Sequence, residues 1–179
     1  MKNARMIGWV LCALLSPAAF AQADKVLEGK DVTESALVNA LTPEPQMRSR
    51  SIKITRDGAP TAPAKSPSAS LLITFETNSA QLTPKSKEAL EVVGRALKSD
   101  KLAEFRFSIE GHADPRGNEA SNLRLSQLRA ESVAGYLAER QQIDRNRLKP
   151  VGKGQSELLN VANPAAPENR RVTIRTLTE

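Results

Sequence analysis

The sequence of 179 residues is poor in cysteine, which occurs once, as Cys12. That cysteine lies in the middle of an apolar N-terminal run, directly after Leu11, and lacks the small preceding residue that a lipobox requires. If the run is removed as an export signal, the mature chain has no thiol. Disulfides, cysteine nucleophiles and thiolate metal sites are then excluded together.

Aromatic residues are also scarce, at 3% of the chain. The formal net charge is +6 and the sequence pI is about 9.7, values that suit an anionic partner. Single-stranded nucleic acids are bound on aromatic platforms beside a basic groove. Here the basic residues are scattered and the aromatic ones few, so nucleic acid is not an expected partner.

Histidine occurs once, as His112. It lies beside an acid in a turn, but no nucleophile with a recognisable motif accompanies it. Hydrolysis of a glycosidic bond needs two placed carboxylates, and Glu110 and Asp114 are the one close acidic pair at this place. Glu110 is expected to face outward or to pair with a neighbouring base. The sequence therefore predicts a protein that is not an enzyme, with no cofactor and no metal.

Residues 1–23 have the layout of a secretory signal peptide, which predicts a periplasmic protein that could associate with the outer membrane. Lys2 and Arg5 precede an apolar run over Met6–Leu15, and small residues follow. The alternative is an uncleaved anchor helix, but the run is short of the ~20 residues that span a bilayer.

Residues 24–69 are predicted to form a flexible, Pro/Ala-rich N-terminal arm. Within it, VTESALVNAL (Val32–Leu41) has apolar residues on one side of a short amphipathic helix. Such an arm could dock on an outer-membrane or envelope protein.

Residues 70–179 alternate between strand and helix patterns. Thr83 and Pro84 form a helix start, an N-cap followed by proline at the first helical position. Phe105, Phe107 and Ile109 alternate with polar residues, as in a half-buried strand. The predicted order is βαβαββ, which implies an α+β fold: a two-layer α/β sandwich with helices packed on one face of a small mixed sheet. The predicted strands are LLITFET from Leu71, 104–111, 147–154 and 171–177, and the predicted helices are 83–99 and 118–140.

Asp114 and Arg129 are the candidate site residues. Asp114 lies in the turn GHADPRG before Pro115, which restricts its backbone, and Arg129 lies on the packing face of the following helix. An inward-leaning arginine needs a carboxylate, and Asp114 is the expected partner. Two other interpretations remain open. Asp114 could cap the turn, or an Asp–Arg pair could tie the turn to the helix.

The stretch GHADPRGNEASNLRLSQLRAESVAGYL, with FETNSAQL and NPAAPENRRV, resembles the OmpA-like C-terminal domain. This module occurs in porin-like proteins, peptidoglycan-associated lipoproteins and flagellar stator proteins. The resemblance implies non-catalytic binding of peptidoglycan through the diaminopimelate residue of its peptide stem, which tethers an envelope component to the cell wall. It assigns the ligand's ammonium group to Asp114 and its carboxylate to Arg129.

Further positions match the family less firmly. The resemblance implies ligand contact or pocket support for Asn78, Asn122, Asn169 and Arg170, whereas Arg171 is expected to face solvent. An alternative function is an envelope adaptor that acts through its N-terminal arm, with the OmpA-like domain as scaffold.

Overall fold

The computed structural model describes residues 26–43, 66–76 and 79–178. The predicted signal peptide, most of the predicted arm and Asn78 lie outside the described residues. Within these ranges, three α-helices and a five-stranded sheet make up the fold. The strands are β1 (Val26–Leu27), β2 (Ser68–Leu71), β3 (Arg106–His112), β4 (Leu148–Gly154) and β5 (Val172–Leu177), and the helices are α1 (Glu34–Leu41), α2 (Pro84–Leu97) and α3 (Glu119–Gln141).

The sheet is mixed, with the strand order β1-β2-β5-β3-β4. β5 runs antiparallel to both of its neighbours, whereas β1–β2 and β3–β4 are parallel pairs. Alternate residues of β3 separate two faces: Phe107 and Ile109 join the hydrophobic core, and Ser108 and Glu110 point to the opposite face. The predicted α+β fold with a mixed sheet is confirmed.

The helix ends follow the local sequence. The Thr83 side chain accepts a hydrogen bond from the backbone amide of Ser86, and Pro84 begins α2, as predicted. The Asn118 side chain caps α3 in the same way through the amide of Ser121. These caps fix where each helix leaves the loop that precedes it, and α3 therefore begins directly after the GHADPRG turn.

Two glycines let α3 approach the sheet closely. A Cβ atom on Gly111 would collide with the backbone carbonyl oxygen of Ser126, and one on Gly152 would lie 2.7 Å from the backbone nitrogen of Gln127. The Ser126 hydroxyl, in turn, accepts a hydrogen bond of 2.9 Å from the amide of Gly154. α3 is thus held against β3 and β4 at the edge where the turn leaves the sheet.

The first strand of the predicted domain is displaced from its predicted position. β2 covers Ser68–Leu71, whereas the prediction began at Leu71 and extended through LLITFET. The apolar residues after β2 lie in a loop and not in a continued strand. Ile73 is buried in the core, and Phe75 forms an isolated bridge with Leu82. Their hydrophobicity reflects burial of a loop rather than a longer strand.

Residues 26–43, which the prediction placed in the flexible arm, are part of the folded unit. β1 pairs with β2, and Leu37 and Leu41 of α1 are fully buried in the core. The Thr176 hydroxyl of β5 donates a 2.6 Å hydrogen bond to the Leu41 carbonyl. The predicted amphipathic helix is present, but it packs on the domain and adds a strand and a helix ahead of the βαβαββ order. Among the described residues, no helix has the length and apolar character needed to cross a membrane.

Candidate functional site

The site begins with the turn that follows β3. The amide of Ala113 donates to the carbonyl of Gly154 at 2.7 Å, and Gly117 has a φ of +98°, which glycine adopts without strain. The Asn122 side-chain amide lies 3.1 Å from the Asp114 carbonyl and 3.2 Å from that of Arg116. Because Asn122 joins the turn to α3 in this way, its geometry favours pocket support over ligand contact.

The carboxylate of Asp114 is held by two arginines. Its Oδ2 accepts bonds from Arg116 Nε at 3.1 Å, Arg116 Nη2 at 2.7 Å and Arg170 Nη1 at 2.7 Å. Its Oδ1 accepts the backbone amide of Arg116 at 3.2 Å. Burial alone would raise the pKa of Asp114, but these hydrogen bonds outweigh it and lower the pKa to about 2. Asp114 is therefore ionised at any physiological pH.

Arg129 does not pair with Asp114, and the prediction of that pair is wrong. Arg129 Nε donates to the Ser79 carbonyl at 3.1 Å, and its guanidinium carbon lies 4.8 Å from the centre of the Phe75 ring. No carboxylate forms an ion pair with Arg129 within the described part of the chain. Arg116 and Arg170 form the ion pairs with Asp114 instead. The guanidinium of Arg129 packs on the face of the Phe75 ring.

Arg129 opens into a cleft of about 280 Å³ beside the turn. Arg170 and Arg171 line the same cleft, so several arginines border one space. Burial lowers the pKa of Arg129, and the positive charge of Arg170 lowers it further, while Asp114 acts in the opposite sense. Cationic groups gathered in this way suit a carboxylate, which arginine can bind with two parallel hydrogen bonds. The other lining residues include Thr74, Phe75, Pro167 and Val172.

Asn169 is completely buried and supports the loop that carries Arg170. Its Oδ1 accepts the amides of Leu159 at 2.8 Å and Asn160 at 2.9 Å. Its Nδ2 lies within hydrogen-bond distance of three loop carbonyls, those of Asn160, Asn163 and Pro164. Every polar atom of the Asn169 side chain is used inside the loop, which favours pocket support for this residue.

Replacing Asn169 by alanine should lower the free energy of unfolding by about 2 kcal/mol, because buried backbone amides and carbonyls lose their partner. Urea unfolding of the variant measures this loss. Asn163→Ala is the matched control, since Asn163 is exposed in the same loop. Equal stability of the two variants would contradict the structural role.

Arg171 is buried, at 8% exposure, and the prediction that it faces solvent is wrong. Its guanidinium donates to the Glu157 carbonyl at 3.2 Å, which ties the start of β5 to the loop after β4. Glu110 forms an ion pair with Arg175 at 3.2 Å. Of the two predicted alternatives, outward exposure or pairing with a neighbouring base, the structure shows the pairing. The two carboxylates of Glu110 and Asp114 are thus each engaged by arginine.

His112 lies near Glu110 and Glu157, with ligand atoms of the three residues within 4.8 Å of one another. Neither ring nitrogen has a hydrogen-bond partner among the described residues. Arg171, Lys153 and Arg175 all act to lower the pKa of His112. The positive charges of these three residues also oppose the binding of a divalent cation at the same place.

Sequence reasoning missed the two residues that complete the arrangement, Arg116 and Phe75. Arg116 was recognisable, because it stands two residues after Asp114 in a turn. The position of Phe75 under Arg129 depends on the loop after β2 and has no local signal in the sequence.

The α+β sandwich places a cationic cleft at the end of its β3–α3 turn, and the charge of this cleft suits a small anionic group. The chain belongs to the OmpA family, whose profile matches residues 74–172. The matched region contains β3, α3, the turn and the cleft arginines.

The curated relatives agree with this assignment. The chain is 34% identical over 103 residues to the outer-membrane lipoprotein YfiB of Pseudomonas aeruginosa, covering 57% of this chain and 60% of that one. It is 33% identical over 162 residues to the peptidoglycan-binding protein ArfA of Mycobacterium bovis, covering 82% and 47%. The chain thus spans about half the length of the curated relatives it matches. The relatives named here carry no enzyme name.

Among solved structures, the OmpA-like domain of FopA1 from Francisella tularensis matches with a TM-score of 0.53 at 22% identity, over 65% of this chain and 79% of that chain. At this identity the match shows the fold alone.

Proposed function

We propose that this protein binds peptidoglycan without catalysis, through the diaminopimelate residue of the peptide stem, and so tethers an envelope component to the cell wall. The observation that carries the proposal is Arg129: a half-buried guanidinium in a cleft, with no carboxylate partner among the described residues. An unpaired charge in such a place is costly unless a ligand neutralises it. Membership of the OmpA family and the name of the ArfA relative support the same ligand class.

Diaminopimelate matches the charges of this site. Each end of the molecule carries an ammonium and a carboxylate on one carbon. In the proposal, Arg129 binds the carboxylate, with Arg170 beside it, and Asp114 receives the ammonium. Each charge-assisted hydrogen bond contributes ~1.5–3 kcal/mol, so a single stem is bound with modest affinity. Modest affinity suffices for attachment to a polymer that repeats the same stem.

The predicted signal peptide and the outer-membrane name of the YfiB relative support a periplasmic location for this binding. Diaminopimelate and the wall would both be accessible there. Fractionation of cells, with the protein recovered alongside sacculi rather than cytosol, tests the location.

A competition experiment tests the ligand. Purified protein is bound to sacculi and released with free diaminopimelate or with 6-aminohexanoate, whose ammonium and carboxylate lie on different carbons at opposite ends of the molecule. We expect diaminopimelate to release the protein at about tenfold lower concentration, because 6-aminohexanoate cannot reach Asp114 and Arg129 together and loses at least one charge-assisted contact. Equal release by both compounds would mean that the cleft recognises charge alone and not the arrangement of the charged groups. A clearing band on a zymogram of purified wall would show catalysis instead.

A further inference from the structure

The acid that the proposed ligand needs is covered in this structure. The Asp114 side chain is only 7% exposed, whereas the side chain of Arg116, which lies over it, is 66% exposed. We propose that Arg116 is an internal competitor for the ammonium subsite: its guanidinium occupies Asp114 in the empty site, and the ammonium group of the ligand displaces it. This inference rests on the proposed function and specifies how that site is regulated.

The contact between Arg116 and Asp114 places a cation where the ammonium group of the proposed ligand would bind. Arg116 donates both Nε and Nη2 to one carboxylate oxygen, Oδ2 of Asp114. No other hydrogen bond or ion pair of the Arg116 side chain is present among the described residues. The guanidinium thus neutralises Asp114 and contributes nothing else to the turn.

Arg170 bonds the same oxygen but is less able to leave. Its Nη1 also donates to the Ala165 carbonyl at 3.3 Å, and its side chain is 39% exposed. The residue follows the loop that Asn169 holds together, and it lines the cleft. Arg116, in contrast, has a side chain that is 66% exposed and can return to water, and an arriving ammonium replaces its charge beside Asp114.

Displacement of Arg116 leaves Asp114 in place. The other carboxylate oxygen, Oδ1, accepts the backbone amide of Arg116 at 3.2 Å, and a change of the Arg116 side chain does not remove that bond. Arg170 also continues to hold Oδ2. An arriving ammonium therefore meets a carboxylate that is already oriented.

This competition makes the site selective for zwitterions. A ligand with carboxylates alone can reach Arg129 and Arg170 without disturbing Arg116. A ligand with an ammonium beside its carboxylate must displace Arg116 to reach Asp114. Loss of the Arg116 side chain should therefore favour zwitterions specifically.

The test compares diaminopimelate with pimelate, the diacid of the same length that lacks both ammonium groups. Affinities are measured by calorimetry for the wild-type protein, Arg116→Ala and Arg140→Ala. Arg140 is exposed in the last turn of α3, so its replacement removes the same charge far from the site. We expect Arg116→Ala to bind diaminopimelate about two- to fivefold more tightly, pimelate to bind no better, and Arg140→Ala to match the wild type.

Equal or weaker binding of diaminopimelate by Arg116→Ala would overturn the inference, since Arg116 would then be neutral or would contact the ligand's carboxylate. An equal gain for pimelate would also overturn it. Carboxyl-resolved NMR provides a ligand-free check: the pKa of Asp114 must rise from its low value in Arg116→Ala. If all three proteins fail to bind diaminopimelate, the proposed function fails and the inference fails with it, whereas equal binding by all three refutes the inference alone.

Discussion

Replacing Arg129 by alanine should lower affinity for purified sacculi at least tenfold and abolish retention in a pull-down. In the proposed complex this side chain makes the charge-assisted bonds to the ligand's carboxylate, worth ~1.5–3 kcal/mol each, and 1.4 kcal/mol corresponds to a factor of ten. Attachment to a repeating polymer multiplies the loss, because each stem is bound more weakly.

Two further variants separate the effect of the guanidinium geometry from the effect of charge. Arg129→Lys keeps the charge but loses the planar fork, so its retention should fall between those of the wild type and Arg129→Ala. Arg140→Ala removes an equal charge from the far end of α3 and should be retained normally. Urea unfolding checks that Arg129→Ala remains folded, since it also loses the bond to Ser79 and the packing on Phe75. Normal retention of a folded Arg129→Ala protein would refute the assignment of the cleft.

Local signals were sufficient for most of the fold. Thr83 with Pro84 predicted the start of α2, and the alternation of Phe107 and Ile109 with polar residues predicted β3. Such features involve residues close in sequence, whose backbone preferences act within a few positions. The segment 26–43 had no comparable signal, because its burial depends on pairing with β2 about forty residues later in the chain.

The candidate site likewise combines features that local sequence predicts with contacts that depend on long-range pairing. The turn and the helix stripe placed Asp114 and Arg129 near each other, but pattern alone could not decide which cation binds the acid. The bond between Asp114 and Arg170 joins residues 56 positions apart and requires the antiparallel pairing of β3 with β5. Arg171 was expected in solvent for the same reason, since its partner Glu157 lies in a loop that no local pattern describes.

Acidification from pH 7 to pH 5 should lower the free energy of unfolding by about 2 kcal/mol through His112 alone. The residue is 3% exposed, and burial lowers its pKa to about 3, with Arg171 as the next largest cause. In the unfolded chain, histidine titrates near 6.5. The unfolded state therefore gains a proton over this range and the native state does not, so stability falls by up to ~1.4 kcal/mol per pH unit.

The sign follows from the depressed pKa. The stabilisation from a neutral His112 is fully present above pH ~6.5 and is lost progressively as the pH falls toward 3. Glu110 on the same strand and Glu157 in the loop after β4 lie near the ring. Glu157 raises the pKa of His112, whereas Arg171, Lys153 of β4 and Arg175 of β5 lower it. The three cations thus favour the neutral ring.

Urea unfolding at several pH values between 7 and 5 measures the effect, in a window above the range in which ordinary carboxylates titrate. His112→Gln should flatten the pH dependence in this window whatever its absolute stability, because no other histidine is present to titrate. Any histidine tag must be removed first. NMR of the single imidazole adds a direct check, since its native resonances should not shift between pH 7 and 5. A titration midpoint near 6.5 in the folded protein would show that the ring is accessible and that burial does not hold it neutral.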